Sequence, residues 1–200
     1  MKHDILLAGV GGQGILSMAA ILGQAAMAQG LDIKQSEVHG MAQRGGAVQS
    51  HVRISDRPIA SDVIPHGGAD LILSLEPMEA LRYLPWLAVE GWIISSLSPV
   101  RNIPQYPEQE ALIGRIVEHP HHLLLDTEAL AKDAGSARAG NTVLLGAASA
   151  KLDLSVAALL EAVEQQFIAK GERVADINRK AFMLGRQAAG CGPGDVAGSC

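Results

Sequence analysis

HDILLAGVGGQGILSMAAILGQAAMAQG, His3 to Gly30, is the stretch on which the fold turns. Its first part, HDILLAGV, is a short apolar run that stops at glycine, the pattern of a strand buried on both faces. Its second part, GILSMAAILGQAAMAQG, repeats apolar residues at helical spacing and ends at Gly30. Between them GVGGQG, Gly9 to Gly14, fits the spacing Gly-x-Gly-x-x-Gly. Glycines permit a tight turn and close backbone approach, and free N–H groups at a helix start face an anion. The pattern alone is weak, but a strand before it and a helix after it are the context it requires. Three readings remain open for this turn: a dinucleotide site, a loop that meets a phosphate-bearing ligand or another subunit, and a purely structural bend. A dinucleotide site also needs an acidic residue at the end of the second strand. Asp32 comes too early for that and Glu37 a little late.

LDIKQSEV reads as that second strand, which makes a strand–turn–helix–strand unit and the start of a parallel sheet. The next stretch, EVHGMAQRGGAVQSHVRIS from Glu37 to Ser55, is the most polar part of an otherwise aliphatic chain. In it AVQSHVRIS alternates as a half-buried strand does, Val48, Ser50, Val52 and Ile54 against Gln49, His51, Arg53 and Ser55. HGMAQRGG, His39 to Gly46, precedes that strand. Gly45 and Gly46 permit positive φ, Arg44 can clamp a phosphate or carboxylate, and His39 can donate a hydrogen bond or transfer a proton. A solvated Gly-Gly turn explains the same residues, but the loop falls near the edge where open α/β sheets bind ligands.

Further along, SDVIPHGG reads as a short strand and turn. ADLILSLEP is an apolar strand ending at Glu76, which is placed either for a site or as a carboxylate at a helix start. PMEALRYLPWL is a helix with Pro77 in its first turn. GWIISSL is a strand, SPVRNIPQYP a loop, EQEALIGRIVEH a helix, and HHLLLDT a strand leading into the helical EALAKDAG. Beyond that only helices are expected. NTVLLGAASAKL has Asn141 and Thr142 as N-cap candidates, and SVAALLEAVEQQFIAKG and ERVADINRKAFMLGRQAA follow. The fold expected is α/β, three layers α/β/α, with a mostly parallel, Rossmann-like sheet and a helical C-terminal third.

The 200 residues suit one domain, and such a chain buries roughly 70% of its unfolded surface without a staple. A net charge of −5 and the lack of a basic stripe argue against nucleic acid. No apolar run approaches a membrane span of roughly 18 residues, and the N-terminus reads as a first strand of a cytoplasmic protein. Cys191 and Cys200 match no Cys-x-x-Cys pattern and are too few for an iron–sulfur cluster, which takes about four thiolates. His119, His121 and His122 lack metal-ligand spacing, and Ser95, Ser96 and Ser98 lack a Gly-x-Ser-x-Gly frame. No catalytic acid, base or nucleophile and no metal ligand is singled out.

GVGGQGI at the first strand, HGMAQRGGAVQSHVRIS about 25 residues later and DLILSLEPMEALR beyond it together resemble the gamma-type domain of the 2-oxoacid:ferredoxin oxidoreductases. The resemblance covers residues 3 to 188, so residues 1–188 are expected to be one such domain and residues 189–200 a flexible tail. Within the family the likeness is strongest to the separate small (beta) subunit of enzymes acting on indolepyruvate and other arylpyruvates. The alternatives are a gamma subunit for pyruvate or another 2-oxoacid, and a free-standing NAD(P)-binding protein. The resemblance implies an enzyme of anaerobic metabolism, active only with its partner. A 2-oxoacid is oxidatively decarboxylated on thiamine diphosphate, electrons pass through [4Fe–4S] clusters to ferredoxin, and coenzyme A takes the acyl group. This chain has neither a Gly-Asp-Gly segment with a downstream Asn for Mg²⁺ and diphosphate nor a cysteine set. The large alpha subunit is therefore expected to carry thiamine diphosphate, Mg²⁺ and the clusters. The resemblance implies that the gamma-type domain packs beside the thiamine domain and helps to receive coenzyme A. The residues assigned to that cofactor-facing or interface edge are Gly9, Gly11, Gly12, Gln13, Gly14, His39, Gln43, Arg44, Gly45 and Gly46. Arg44→Ala is expected to weaken turnover or assembly while leaving the chain folded.

Overall fold

From Asp4 to Val10 every residue of the first strand is buried, as the apolar run requires of a strand at the centre of a sheet. The computed structural model describes residues 1–38 and 45–191. In it β1 (Lys2–Val10) sends Ile5 and Leu7 to one face and Leu6 and Ala8 to the other. Along the chain follow α1 (Ile15–Ala28), β2 (Asp32–Val38), β3 (Ala47–Ser55), β4 (Ala69–Ser74), α2 (Pro77–Arg82), β5 (Leu87–Ser96), α3 (Gln109–Val117) and β6 (His122–Leu125). The helices α4 (Thr127–Ala134), α5 (Gly140–Ala148), α6 (Val156–Ile168) and α7 (Glu172–Ala188) complete the described chain. Helices α1, α5, α6 and α7 pack on the Ile5–Leu7 face, and α2 and α3 on the Leu6–Ala8 face. This is the expected three-layer α/β/α arrangement with a helical C-terminal third.

The sheet order is β2-β3-β1-β4-β5-β6. β1, β4, β5 and β6 pair in parallel, while β3 runs antiparallel to both β1 and β2. Five strands therefore point one way and β3 opposes them. The strand–turn–helix–strand unit forms, but its two strands are not neighbours, because β3 is inserted between β1 and β2. Residues 39–46 are too few for a crossover helix, so the chain re-enters the sheet antiparallel.

Two local expectations are corrected. Ser61 to Gly68 contains no strand. Side chains of β3 hold this segment: Arg53 donates to the carbonyl oxygens of Ser61 and Val63, and Ile64 N donates to Nδ1 of buried His51. Pro65 and Gly67, with φ of 70°, favour this irregular path. Asn141 and Thr142 are not N-caps either. α5 starts at Gly140 with Ala139 at the cap, and both polar side chains are buried.

Glycines set the closest helix crossing. A Cβ at Gly146 of α5 would overlap the Phe182 carbonyl, and one at Gly185 of α7 would overlap the Val143 carbonyl. Among the described residues, no helix is long and apolar enough to cross a membrane.

Candidate functional site

β1 ends beneath the glycine turn. Gly12 (φ 100°) and Gly14 (φ 91°) are left-handed, so side chains are strained there. The third constraint is spatial: a Cβ on Gly9 would lie 2.8 Å from Oε1 of Gln13. The space so left admits the Gln13 amide, which accepts from Val10 N at 2.7 Å and donates to the Leu75 carbonyl at 3.2 Å. Beyond β1 the chain crosses toward β2, and beyond β4 toward β5, so these two strands flank the switch point of the sheet. Gln13 thus ties the ends of the two strands at the crevice where open α/β sheets bind ligands.

The structure brings the two glycine motifs together. Gly11 N donates to the Gly46 carbonyl at 2.8 Å, and Gly45 N to the Gly11 carbonyl at 3.4 Å. His39, Gln43 and Arg44 lie outside the described residues. A third segment joins from the other side, where Nδ2 of Asn102 donates to the Gly45 carbonyl at 2.7 Å. The N–H groups of Gly12, Gly14, Ile15 and Leu16 meet no protein acceptor among the described residues. They form the positive end of α1.

Three cavities meet at Gly12. One of about 300 Å³ is apolar, between Val10, Ile15, Leu16 and Val48. A second, about 560 Å³, runs from Gly12–Gly14 past Ser17 and Asn141 to Arg138 and Lys170. A third, about 520 Å³, follows the strand ends past Leu75, Ser96 and Thr127 and shares Arg138. No carboxylate lines the second cavity. Among the described residues neither Arg138 nor Lys170 has a salt-bridge partner, and the Lys170 ammonium stands 5.3 Å from the Phe167 ring centroid. Two cations and the open N–H groups of Gly12 and Gly14 make this cavity receptive to an anion such as a phosphate. Arg138 and Lys170 carry no signal in the linear sequence: one lies in a short turn and the other beyond α6, and only the fold joins them.

Glu76 is fully buried at the end of β4. Its carboxylate caps α2 by accepting from Glu79 N at 2.9 Å and also accepts from Val100 N at 3.4 Å and from the Tyr106 hydroxyl. Burial pushes the Glu76 carboxyl up, against the pull of these donors. Burial and the neighbouring carboxylate likewise push the Tyr106 phenol up. The histidines near β6 serve packing: His121 stacks on Trp92 at 5.3 Å, and Nδ1 of His122 bonds the His119 carbonyl at 2.7 Å. Among the described residues, no three His, Cys, Asp or Glu side chains are grouped to hold a metal ion. The Ser96 hydroxyl pairs with the Thr127 hydroxyl at 2.8 Å.

The family model described as pyruvate ferredoxin/flavodoxin oxidoreductase matches residues 4–188. The chain belongs to this family. A curated relative, the indolepyruvate oxidoreductase subunit IorB of Pyrococcus horikoshii, is 38% identical over 94% of this chain and 96% of its own length. The gamma subunit of a keto/oxoacid ferredoxin oxidoreductase from Geobacter sulfurreducens superposes with a TM-score of 0.69 at 27% identity, over 94% of this chain and 98% of that one. A 2-oxoglutarate:ferredoxin oxidoreductase from Magnetococcus marinus, solved with 2-oxoglutarate, coenzyme A and succinyl-CoA, has the same fold. Its TM-score is 0.77 at 23% identity, over 98% of this chain and 33% of that one.

Proposed function

We propose that this chain is the small subunit of a thiamine-diphosphate- and iron–sulfur-dependent oxidoreductase that decarboxylates indolepyruvate and other arylpyruvates to the acyl-CoA, with ferredoxin as electron acceptor. The near full-length likeness to indolepyruvate oxidoreductase subunits supports the substrate class. The observation that carries the role of the chain is the bonding of Gly11 to Gly46, which makes one edge of the two glycine motifs. That edge faces the partner subunit and the phosphate-bearing end of coenzyme A. The donor set fits an anionic phosphate: open N–H groups, Arg138 and Lys170. It does not fit an iron–sulfur cluster or a thiamine–Mg²⁺ site, since the chain has two cysteines and no grouped metal ligands among its described residues. Those groups belong to a large alpha subunit in this reading.

The competing reading, a free-standing NAD(P)-binding protein, meets a geometric objection. A ribose-binding carboxylate stands at the end of a strand next to β1. Here β3 separates the two strands, so Glu37 is roughly two strand spacings from β1, about 9.6 Å instead of 4.8 Å. The test is a tagged pull-down from anaerobic extract of the native host, with arylpyruvate-dependent dye reduction on the eluate. A large, brown, thiamine-containing partner with that activity is expected. A chain that elutes alone and binds NAD(P) would overturn the proposal.

A further inference from the structure

The loop between β5 and α3 has an exposed tip, from Arg101 to Gln105, yet it is tied down on both shoulders by one carboxylate. Val100 N and the Tyr106 hydroxyl both donate to Oε1 of Glu76, and Gln109 Nε2 donates to the Leu97 carbonyl at 3.0 Å. Pro99, Pro104 and Pro107 restrict the backbone between and beside these ties. From the tip the side chain of Asn102 reaches 57 residues back along the chain to the Gly45 carbonyl. The same peptide segment is bonded to Gly11 on its other side. A wholly buried carboxylate is a costly way to brace a loop if stability alone is served, because apolar packing would do as well. What the carboxylate supplies is direction: two donors converge on one oxygen and fix where the tip stands.

We propose that Asn102, held in place through Tyr106 and Val100 by Glu76, is a positioning residue that sets the Gly45–Gly46 strand entry against Gly11 and so shapes the edge used by coenzyme A and the partner subunit. The proposal rests on the assignment of that edge made above. It concerns no reacting atom. Its content is that the order of the glycine edge depends on a remote buried anchor.

The experiment has two readouts. The first is amide hydrogen exchange at Gly11 and across Gly45–Val48 in the full chain. The second is the KM for coenzyme A against kcat in the complex assembled with the partner subunit. Asn102→Ala and the near-isosteric Asn102→Asp, which lacks the amide donor, are each expected to speed exchange at Gly11 roughly 5-fold, the loss of one hydrogen bond. KM should rise and kcat should change little. Asn102→Gln keeps the donor and should recover part of the protection. Tyr106→Phe should reproduce the effect, and Tyr106→Phe combined with Asn102→Ala should be no worse than either alone, since both act through one tip. Unchanged exchange in a folded Asn102→Ala chain overturns the coupling. Faster exchange with unchanged KM and unchanged assembly overturns the role of Asn102 at the site, whereas an unchanged KM for coenzyme A in Arg138→Ala and Lys170→Ala would overturn the placement of the site itself.

Discussion

Asn141 of α5 donates from Nδ2 to the carbonyl oxygen of Gly14 at 3.4 Å, across 127 positions of chain. Behind it the chain of bonds continues. Oδ1 of Asn141 accepts from Thr142 N at 2.9 Å, and the Thr142 hydroxyl donates to Oδ1 of Asn178 at 2.7 Å. All three side chains are buried. The helical C-terminal third therefore does more than cover the sheet: it fixes the carbonyl that begins α1, whose first N–H groups line the candidate site.

Two glycines of the turn separate conformational strain from crowding. At Gly12 an added Cβ meets nothing within 4 Å, so Gly12→Ala carries only the cost of a left-handed residue, about 1 kcal/mol. At Gly14 the same strain is joined by a Cβ 2.5 Å from Asn141 Nδ2. Gly14→Ala is expected to cost about 3 kcal/mol and to lower the thermal midpoint by roughly 6–12 °C. Urea titration of both variants measures the difference. Equal losses would mean that Asn141 yields freely and does not hold the turn.

At the α5–α7 crossing the prediction is harsher. Gly146→Ala and Gly185→Ala each push a methyl into backbone of the opposite helix, with no flexible side chain to give way. Each should cost about 3 kcal/mol or more and reduce the yield of folded chain. Gly114 in α3 is the control, because a Cβ there meets nothing within 4 Å. Gly114→Ala should stabilise by about 0.5–1 kcal/mol through helix propensity. Thermal unfolding of the three variants is the check, and a harmless Gly146→Ala would contradict the crossing as described.

What the linear sequence shows and what it hides follow from the range of the interactions. β1, the turn and α1 are legible because their signals are local: an unbroken apolar run, glycines at a turn, apolar residues at helical spacing. The antiparallel β3 is legible as a strand, but its place between β1 and β2 is not, since alternation says nothing about which neighbour it pairs with. Asn141 and Thr142 mislead for a related reason. Small polar residues before an apolar run look like caps, and their burial against Gly14 and Asn178 depends on helices that lie far apart in sequence. The sequence marks Gly11 and Gly46 only as parts of one edge and not as bonded to each other, and the Asn102 and Arg138 contributions come from loops with no pattern of their own.

Glu76 makes stability depend on pH in a definite direction. Burial raises its carboxyl in the folded chain above the ordinary glutamate value, against the pull of Tyr106, Glu79 N and Val100 N. The folded protein thus keeps a proton that the unfolded chain has released. That contribution is fully present below the unfolded pKa and is lost as the pH rises through the folded one. Glu76→Gln cannot ionise, so its stability relative to the native chain should improve as the pH rises past the ordinary glutamate pKa, about 4.3, and level off once the folded carboxyl has ionised. Denaturant unfolding across that range measures it. A difference that stays flat would show that Glu76 keeps one protonation state throughout.

Arg138 and Lys170 give the most direct handle on the ligand. Both line the cavity that opens from Gly12–Gly14, and neither makes a salt bridge among the described residues. Truncating them therefore removes little from the fold, and the thermal midpoints of Arg138→Ala and Lys170→Ala should stay within about 2 °C of the native chain. If the cavity receives the phosphates of coenzyme A, each substitution removes a charge-assisted contact of about 1.5 kcal/mol or more, so KM for coenzyme A in the assembled complex should rise roughly 10-fold. KM for the arylpyruvate should not change. Raising the salt concentration should weaken coenzyme A binding in the native complex more than in the double variant, because screening acts on the charges that the variant lacks. Steady-state kinetics of the four proteins at two ionic strengths decides the matter. An unchanged KM in the double variant would place the phosphates elsewhere and leave this cavity to the partner subunit.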